Sequence, residues 1–137
     1  MNANGAHLSI QKITDVNDSF IEQLNALLDE GTVWDAGEGL KFLLNKDNAL
    51  FVAFWGSKVV GFLSAHRLQR FDQRKAEVLL YEIEVQKDFR KRGIGRALIG
   101  AVKEWARDVK ADEVWVLTYL SNEAAMSLYK SEGVLPN

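Results

Sequence analysis

The stretch Val85-Gln86-Lys87-Asp88-Phe89-Arg90-Lys91-Arg92-Gly93-Ile94-Gly95-Arg96-Ala97-Leu98 decides how this chain is read. Ala76 to Val85, just before it, is long and β-rich and reads as a strand. Residues 94 to 109 place Ile94, Leu98, Val102, Trp105 and Val109 near the 3.6-residue period of a helix, with Lys103, Glu104, Arg107 and Asp108 outside. A basic turn joins the two and opens the helix on Gly-x-Gly. The first N–H groups of a helix have no internal partner and carry the positive end of its dipole. Glycine lets a ligand approach that backbone closely. Arg90, Lys91, Arg92 and Arg96 add positive charge, so the loop is an anion site suited to phosphate.

The kind of phosphate follows from what the loop lacks. A Walker loop ends in Gly-Lys-Ser/Thr, whereas Gly95 is followed by Arg96-Ala97. A dinucleotide fingerprint places a third glycine three residues after Gly95, where Leu98 stands; Gly100 is out of register. Without a second motif, the alternative reading is a helix start with two glycines and a solvated basic turn.

Outward from the loop, the elements alternate. Leu8 to Ile13 reads as a short strand. Asp15, Asn17, Asp18 and Ser19 supply cap chemistry for a helix from about Phe20 to Leu28, and a second helix carries Leu40, Phe42, Leu43 and Leu44. Ala49 to Trp55 and Val59 to Arg67 form a hairpin about Gly56-Ser57-Lys58. After the central helix come a strand, Val114 to Tyr119, and a last helix capped by Ser121 and ended by Gly133. The order β-α-α-β-β-β-α-β-α implies a mixed α/β (α+β) domain: an antiparallel meander followed by a right-handed β-α-β crossover.

The chain has 137 residues, enough for one domain with a core; residues 1–6 read as a flexible tail. Its formal net charge of −2 gives no broad field for nucleic acid, and no basic-aromatic stripe is present. With no cysteine, disulfides, thiolate catalysis and cysteine metal sites are excluded, and a cytoplasmic location is expected. His7 and His66 form no HExxH-type pair, so no metal is expected. No apolar run has the length of a membrane span, and nothing at the N-terminus reads as a signal peptide.

The loop fits Arg/Gln-x-x-Gly-x-Gly/Ala and resembles the acyl-CoA loop of the GNAT superfamily of N-acetyltransferases. One helix and one strand later, Asn122-Glu123-Ala124-Ala125-Met126-Ser127-Leu128-Tyr129-Lys130-Ser131-Glu132-Gly133 is similar to that superfamily's Asn-x-x-Ala-x-x-x-Tyr-x-x-x-Gly segment. The resemblance runs from about Leu8 to Gly133 and implies a GNAT-like sheet splayed at the CoA site, with helices on both faces. It implies acetyl-CoA as co-substrate, its pyrophosphate held by Arg90, Lys91, Arg92, Gly93, Ile94, Gly95 and Arg96. Main-chain groups of Ile83 and Val85 would hold the pantetheine, which Asn122 also touches, and Tyr129 would protonate the departing thiolate. A phenol with a pKa of about 10 suits that role in a dry cleft; by itself Tyr129 reads as an amphipathic core residue.

A primary ammonium must lose a proton before it attacks a thioester, and a partly desolvated carboxylate can take it. On a flat strand Tyr81, Ile83 and Val85 share one face and Leu80, Glu82 and Glu84 the other. Glu82 is the candidate base and Glu84 the reserve; the alternative is that both are solvated or paired with arginines. Arg70-Phe71-Asp72-Gln73, running into Tyr81-Glu82, is also similar to a segment of aminoglycoside 3-N-acetyltransferases. That implies an acidic cleft for a small cationic amine, with Glu77 and Glu82 as acceptor-binding residues. Asp29, Glu30, Asp35, Glu38 and Asp72 are further acids, and Trp34 reads as core or pocket wall.

Superfamily members usually continue past the Gly133 equivalent with two more strands, which here are reduced to the start of one. This leaves an expected open edge on Val114 to Tyr119, a hazard that a homodimer would cover. The reading is therefore an amine N-acetyltransferase working by direct transfer. The alternatives are a protein or peptide N-acetyltransferase and a non-catalytic CoA-binding module.

Overall fold

The structure, a computed structural model, describes residues 7–27, 35–72, 75–116 and 123–136. The readings placed on residues 1–6, Asp29, Glu30, Trp34, Gln73, Tyr119, Ser121 and Asn122 lie outside these. The described elements are β1 (Leu8–Lys12), α1 (Asp18–Asn25), α2 (Ala36–Leu44), β2 (Asn48–Trp55), β3 (Lys58–Leu68), β4 (Ala76–Val85), a single 3-10 turn (Lys87–Phe89), α3 (Ile94–Asp108), β5 (Ala111–Val116), α4 (Glu123–Ser131) and β6 (Leu135–Pro136). They form one sheet in the order β1-β2-β3-β4-β5-β6. Each of the first four strands is antiparallel to its neighbour; β5 runs parallel to β4, and β6 parallel to β5. This is the expected mixed architecture of a meander followed by a β-α-β crossover.

Local chemistry sets the element starts. Asn17 accepts the Phe20 N–H through Oδ1 (2.8 Å), which starts α1 two residues earlier than the apolar stripe implied. Asp35 caps α2 in the same way, accepting the Glu38 N–H at 2.9 Å. Gly56, with φ of 63°, turns the β2–β3 hairpin. β5 begins at Ala111 rather than Val114, because Ala76 at the start of β4 already pairs with it. The edge expected to be open is partly taken: β6 pairs with Trp115 and Val116.

Apolar residues fill both faces of the sheet. Ile94, Leu98, Ile99, Val102 and Trp105 of α3, with Tyr129 of α4, pack on one face against Phe51, Val60, Leu63, Val78 and Leu80. Ile21 and Leu24 of α1 cover the other, against Leu50, Val52, Val59 and Phe62. A bulge in β4 governs the middle of the sheet. Ser64 pairs with Glu82 and Ala65 with Leu80, so Tyr81 is the extra residue. The flat-strand alternation is therefore overturned. Leu80 belongs with Ile83 and Val85 on the α3 face, because the inserted residue reverses the phase between them.

Candidate active site

The β4-to-α3 loop is built on main-chain geometry. Lys91 (φ 63°) and Gly93 (φ 82°) both adopt the left-handed region, and Gly93 caps α3 without a side chain. The first α-helical bond runs from Ala97 N–H to Gly93 C=O (3.0 Å), so the amides of Ile94, Gly95 and Arg96 have no partner four residues back. Gly61 of β3 lets this helix end sit on the sheet. A Cβ there would lie 3.0 Å from the Glu84 carbonyl oxygen and 3.4 Å from Ile94 Cγ2.

A cavity of about 800 Å³ lies against this loop, between β4 and α4. Ile83, Val85, Arg90, Lys91, Gly93, Ile94, Gly95, Arg96 and Tyr129 all line it. The β4–β5 ladder ends at Leu80 opposite Val116, so residues 81–85 of β4 have no β5 partner among the described residues. Tyr129 is buried, only 7% exposed, and burial pushes its phenol above the ordinary 10.0. It is neutral and proton-bearing at neutral pH. The loop cations are not equivalent. Arg92 stacks its guanidinium on Phe89 (4.9 Å) and Trp55 (5.5 Å) and does not line the cavity. Arg90 donates to the Val85 carbonyl (3.1 Å) and to Glu84 Oε1 (3.0 Å), while Arg96 pairs with Glu132 at 3.3 Å.

A second cavity, of about 410 Å³, opens beside α2 and is lined by Phe42, Leu50, Ser64, His66, Tyr81 and Glu82, with Val16, Asp35, Glu38 and Gly39. Glu82 and Ile83, neighbours on β4, therefore line different cavities. Desolvation raises the Glu82 carboxyl above its ordinary 4.5, the direction a general base needs. Glu84 instead pairs with Arg90, and Glu77 with Arg70, which also holds Asp72 at 2.8 Å. Neither Glu77 nor Glu84 lines the second cavity.

Sequence reasoning did not select His66, Ser64, Phe42 or Tyr81 for this cavity. His66 Nδ1 lies 2.7 Å from Asn48 Oδ1, and its ring meets Phe42 and Tyr81 edge-on, each at 5.6 Å. Alternation along β3 places Ser64 and His66 on one face, the only signal available beforehand. Among the described residues no group of three or more His, Cys, Asp or Glu is placed to hold a metal, and no helix is long and apolar enough to cross a membrane.

Comparison with known proteins fits this geometry. The sequence pattern of the Acetyltransferase (GNAT) family matches residues 13–133. An uncharacterised N-acetyltransferase of Methanocaldococcus jannaschii is 37% identical over 97 residues, 68% of this chain and 42% of that protein. N-acetyltransferase 8 of Homo sapiens is 32% identical over 92 residues, 67% of this chain and 40% of that protein. The chain thus spans well under half the length of these relatives. Among solved structures, an aminoglycoside acetyltransferase from an uncultured soil metagenomic sample superposes with a TM-score of 0.82 at 27% identity, covering 93% of this chain and 91% of that one. The aminoglycoside N-acetyltransferase AAC(6')-Iy in complex with CoA gives 0.80 at 25% identity, covering 98% and 91%.

Proposed function

The chain belongs to the GNAT family of acetyltransferases, and from that premise we propose that it transfers the acetyl group of acetyl-CoA to the primary amine of a small cationic acceptor. The observation that carries the reading is the placement of Glu82 and Ile83. These adjacent residues face two cavities, one beside a helix N-terminus suited to phosphate and one holding a carboxylate that makes no ion pair among the described residues. In this reading the amides of Ile94, Gly95 and Arg96, with Lys91, receive the donor's pyrophosphate, and Ile83 and Val85 of β4 run beside its pantetheine.

Glu82 takes one proton from the acceptor ammonium, directly or through water. The nitrogen lone pair then forms a C–N bond to the thioester carbonyl carbon. The tetrahedral intermediate breaks its C–S bond, the electron pair goes to sulfur, and the Tyr129 phenol protonates it. The nitrogen gives up a second proton, which restores Tyr129 through water. The products are an N-acetyl amide, CoA thiol and one proton released to solvent. Direct transfer suits a chain without cysteine. CoA in the solved neighbour AAC(6')-Iy supports the donor, and the neighbours' names keep an aminoglycoside acceptor as a second reading.

Thiol release from acetyl-CoA by the purified protein, with amines of several classes, tests the reading. Release with any amine establishes transfer. No release, with CoA still raising Tm, leaves a binding module; no change in Tm overturns the loop assignment.

A further inference from the structure

The second cavity has a narrow polar complement. Its two acids at the α2 start are engaged: Asp35 caps the helix (2.9 Å), and Glu38 pairs with Lys41 at 3.3 Å. Glu82 makes no ion pair among the described residues. Ser64 is 3% exposed, and its Oγ has no hydrogen-bond partner among the described residues, an arrangement that costs stability unless a ligand supplies one.

The tautomer of His66 follows from its neighbours. Asn48 Nδ2 donates to the Phe42 carbonyl (3.1 Å), which turns Asn48 Oδ1 toward His66. Oδ1 only accepts, so the His66 proton sits on Nδ1 and Nε2 is an acceptor. Burial lowers the His66 pKa, which keeps the ring neutral. The cavity therefore offers Glu82 as its one carboxylate without an ion pair or a capping bond among the described residues, beside one hydroxyl and one imidazole acceptor. That matches the three N–H donors of a single ammonium. The remaining wall is apolar: Val16, Phe42, Leu50 and the ring of Tyr81, which is 56% exposed. A second ammonium placed there would have to compete with the α2 start for Asp35 or with Lys41 for Glu38, and a polyol would leave hydroxyls unpaired against the apolar wall.

Resting on the transfer reading above, we infer that the acceptor is a monoamine on an apolar, preferably aromatic, skeleton, with its ammonium at Glu82, Ser64 and His66 and its carbon body against Phe42, Leu50 and Tyr81. An ammonium beside Tyr81 also gains from the ring quadrupole.

The test measures kcat/KM by thiol release for 2-phenylethylamine, spermidine and kanamycin, alongside calorimetric titration of each amine into the protein–CoA complex. The expected result is a kcat/KM for 2-phenylethylamine at least about tenfold above either polycation, the size of one good apolar contact. Phe42→Ala should raise KM for 2-phenylethylamine about tenfold and leave kcat within about twofold, since it removes binding alone. Spermidine or kanamycin equal to or better than 2-phenylethylamine overturns the inference. Tight binding of 2-phenylethylamine without thiol release sustains the pocket and sinks the transfer reading. Binding of none of the three sinks the pocket.

Discussion

Ser64 on β3 stands directly across from Glu82 on β4, one position past the bulge at Tyr81, and both line one cavity. Glu82 is raised by desolvation, which predicts both activity and stability. As a base it must be ionised, so kcat/KM should fall as pH drops through a value above 4.5. Glu82→Gln should lower kcat by about 10²–10⁴-fold and abolish that limb. The stability sign is opposite. A carboxyl whose folded pKa is raised favours the fold below its ordinary pKa, and this is lost as pH rises through the folded value. Glu82→Gln should therefore match or exceed the wild-type Tm at pH 7, with the difference vanishing below about pH 4. A Tm loss at pH 7 together with an unchanged pH profile would assign Glu82 a structural role.

Tyr129 lines the loop cavity with its phenol held above 10.0 by burial. The neutral form needed to protonate a thiolate thus persists across neutral pH, and any alkaline limb from this group lies above 10.0. Tyr129→Phe removes one oxygen and preserves the ring in the core. Turnover should drop by about 10²-fold or more while the CoA Kd stays within about threefold. Stopped-flow thiol release and calorimetric CoA titration read the two quantities separately.

Gly93 and Gly95 serve different ends. At Gly93 a Cβ meets nothing within 4 Å, but φ is +82°, so the cost of Gly93→Ala is conformational, about 1 kcal/mol. For a chain of this size that lowers Tm by about 3–5 °C. At Gly95 the added methyl makes ordinary contact with Leu128 Cδ2 at 3.5 Å, inside a helix that alanine favours. Gly95→Ala should hold or raise Tm. Alanine is also what the Gly/Ala position of the loop pattern accepts, so the CoA Kd should stay within about threefold. Equal Tm losses for the two would contradict this division.

Much of this architecture is legible locally. The limits of β4, Ala76 and Val85, the Gly93 cap and the α3 stripe follow from composition and period within short windows. What escaped depends on distant partners. The bulge at Tyr81 exists only in the pairing of β4 with β3, so a flat-strand reading put Leu80 on the wrong face. His66 belongs to the site through Asn48, eighteen residues earlier and one strand over. Glu77 and Glu84 are held by Arg70 and Arg90, partners that strand alternation does not reveal.

The same distinction separates the loop cations. Arg92 reaches Phe89 and Trp55, a residue of β2 that chain position does not connect to the loop. Its side chain is a stabilising cation–π group, and Arg92→Ala should cost about 0.5–1 kcal/mol of stability. CoA affinity should stay within about twofold of wild type, an expectation for an interaction the substitution leaves intact. Lys91 lines the cavity and makes no ion pair among the described residues. Lys91→Ala should leave Tm within about 1 °C, as for a surface change away from packing. It should weaken CoA binding about tenfold at low ionic strength, and the deficit should shrink as salt screens the charge. Thermal melts and CoA titrations at two salt concentrations decide the matter. Loss of CoA affinity in the Arg92 variant, without loss of Tm, would return that residue to the pyrophosphate site.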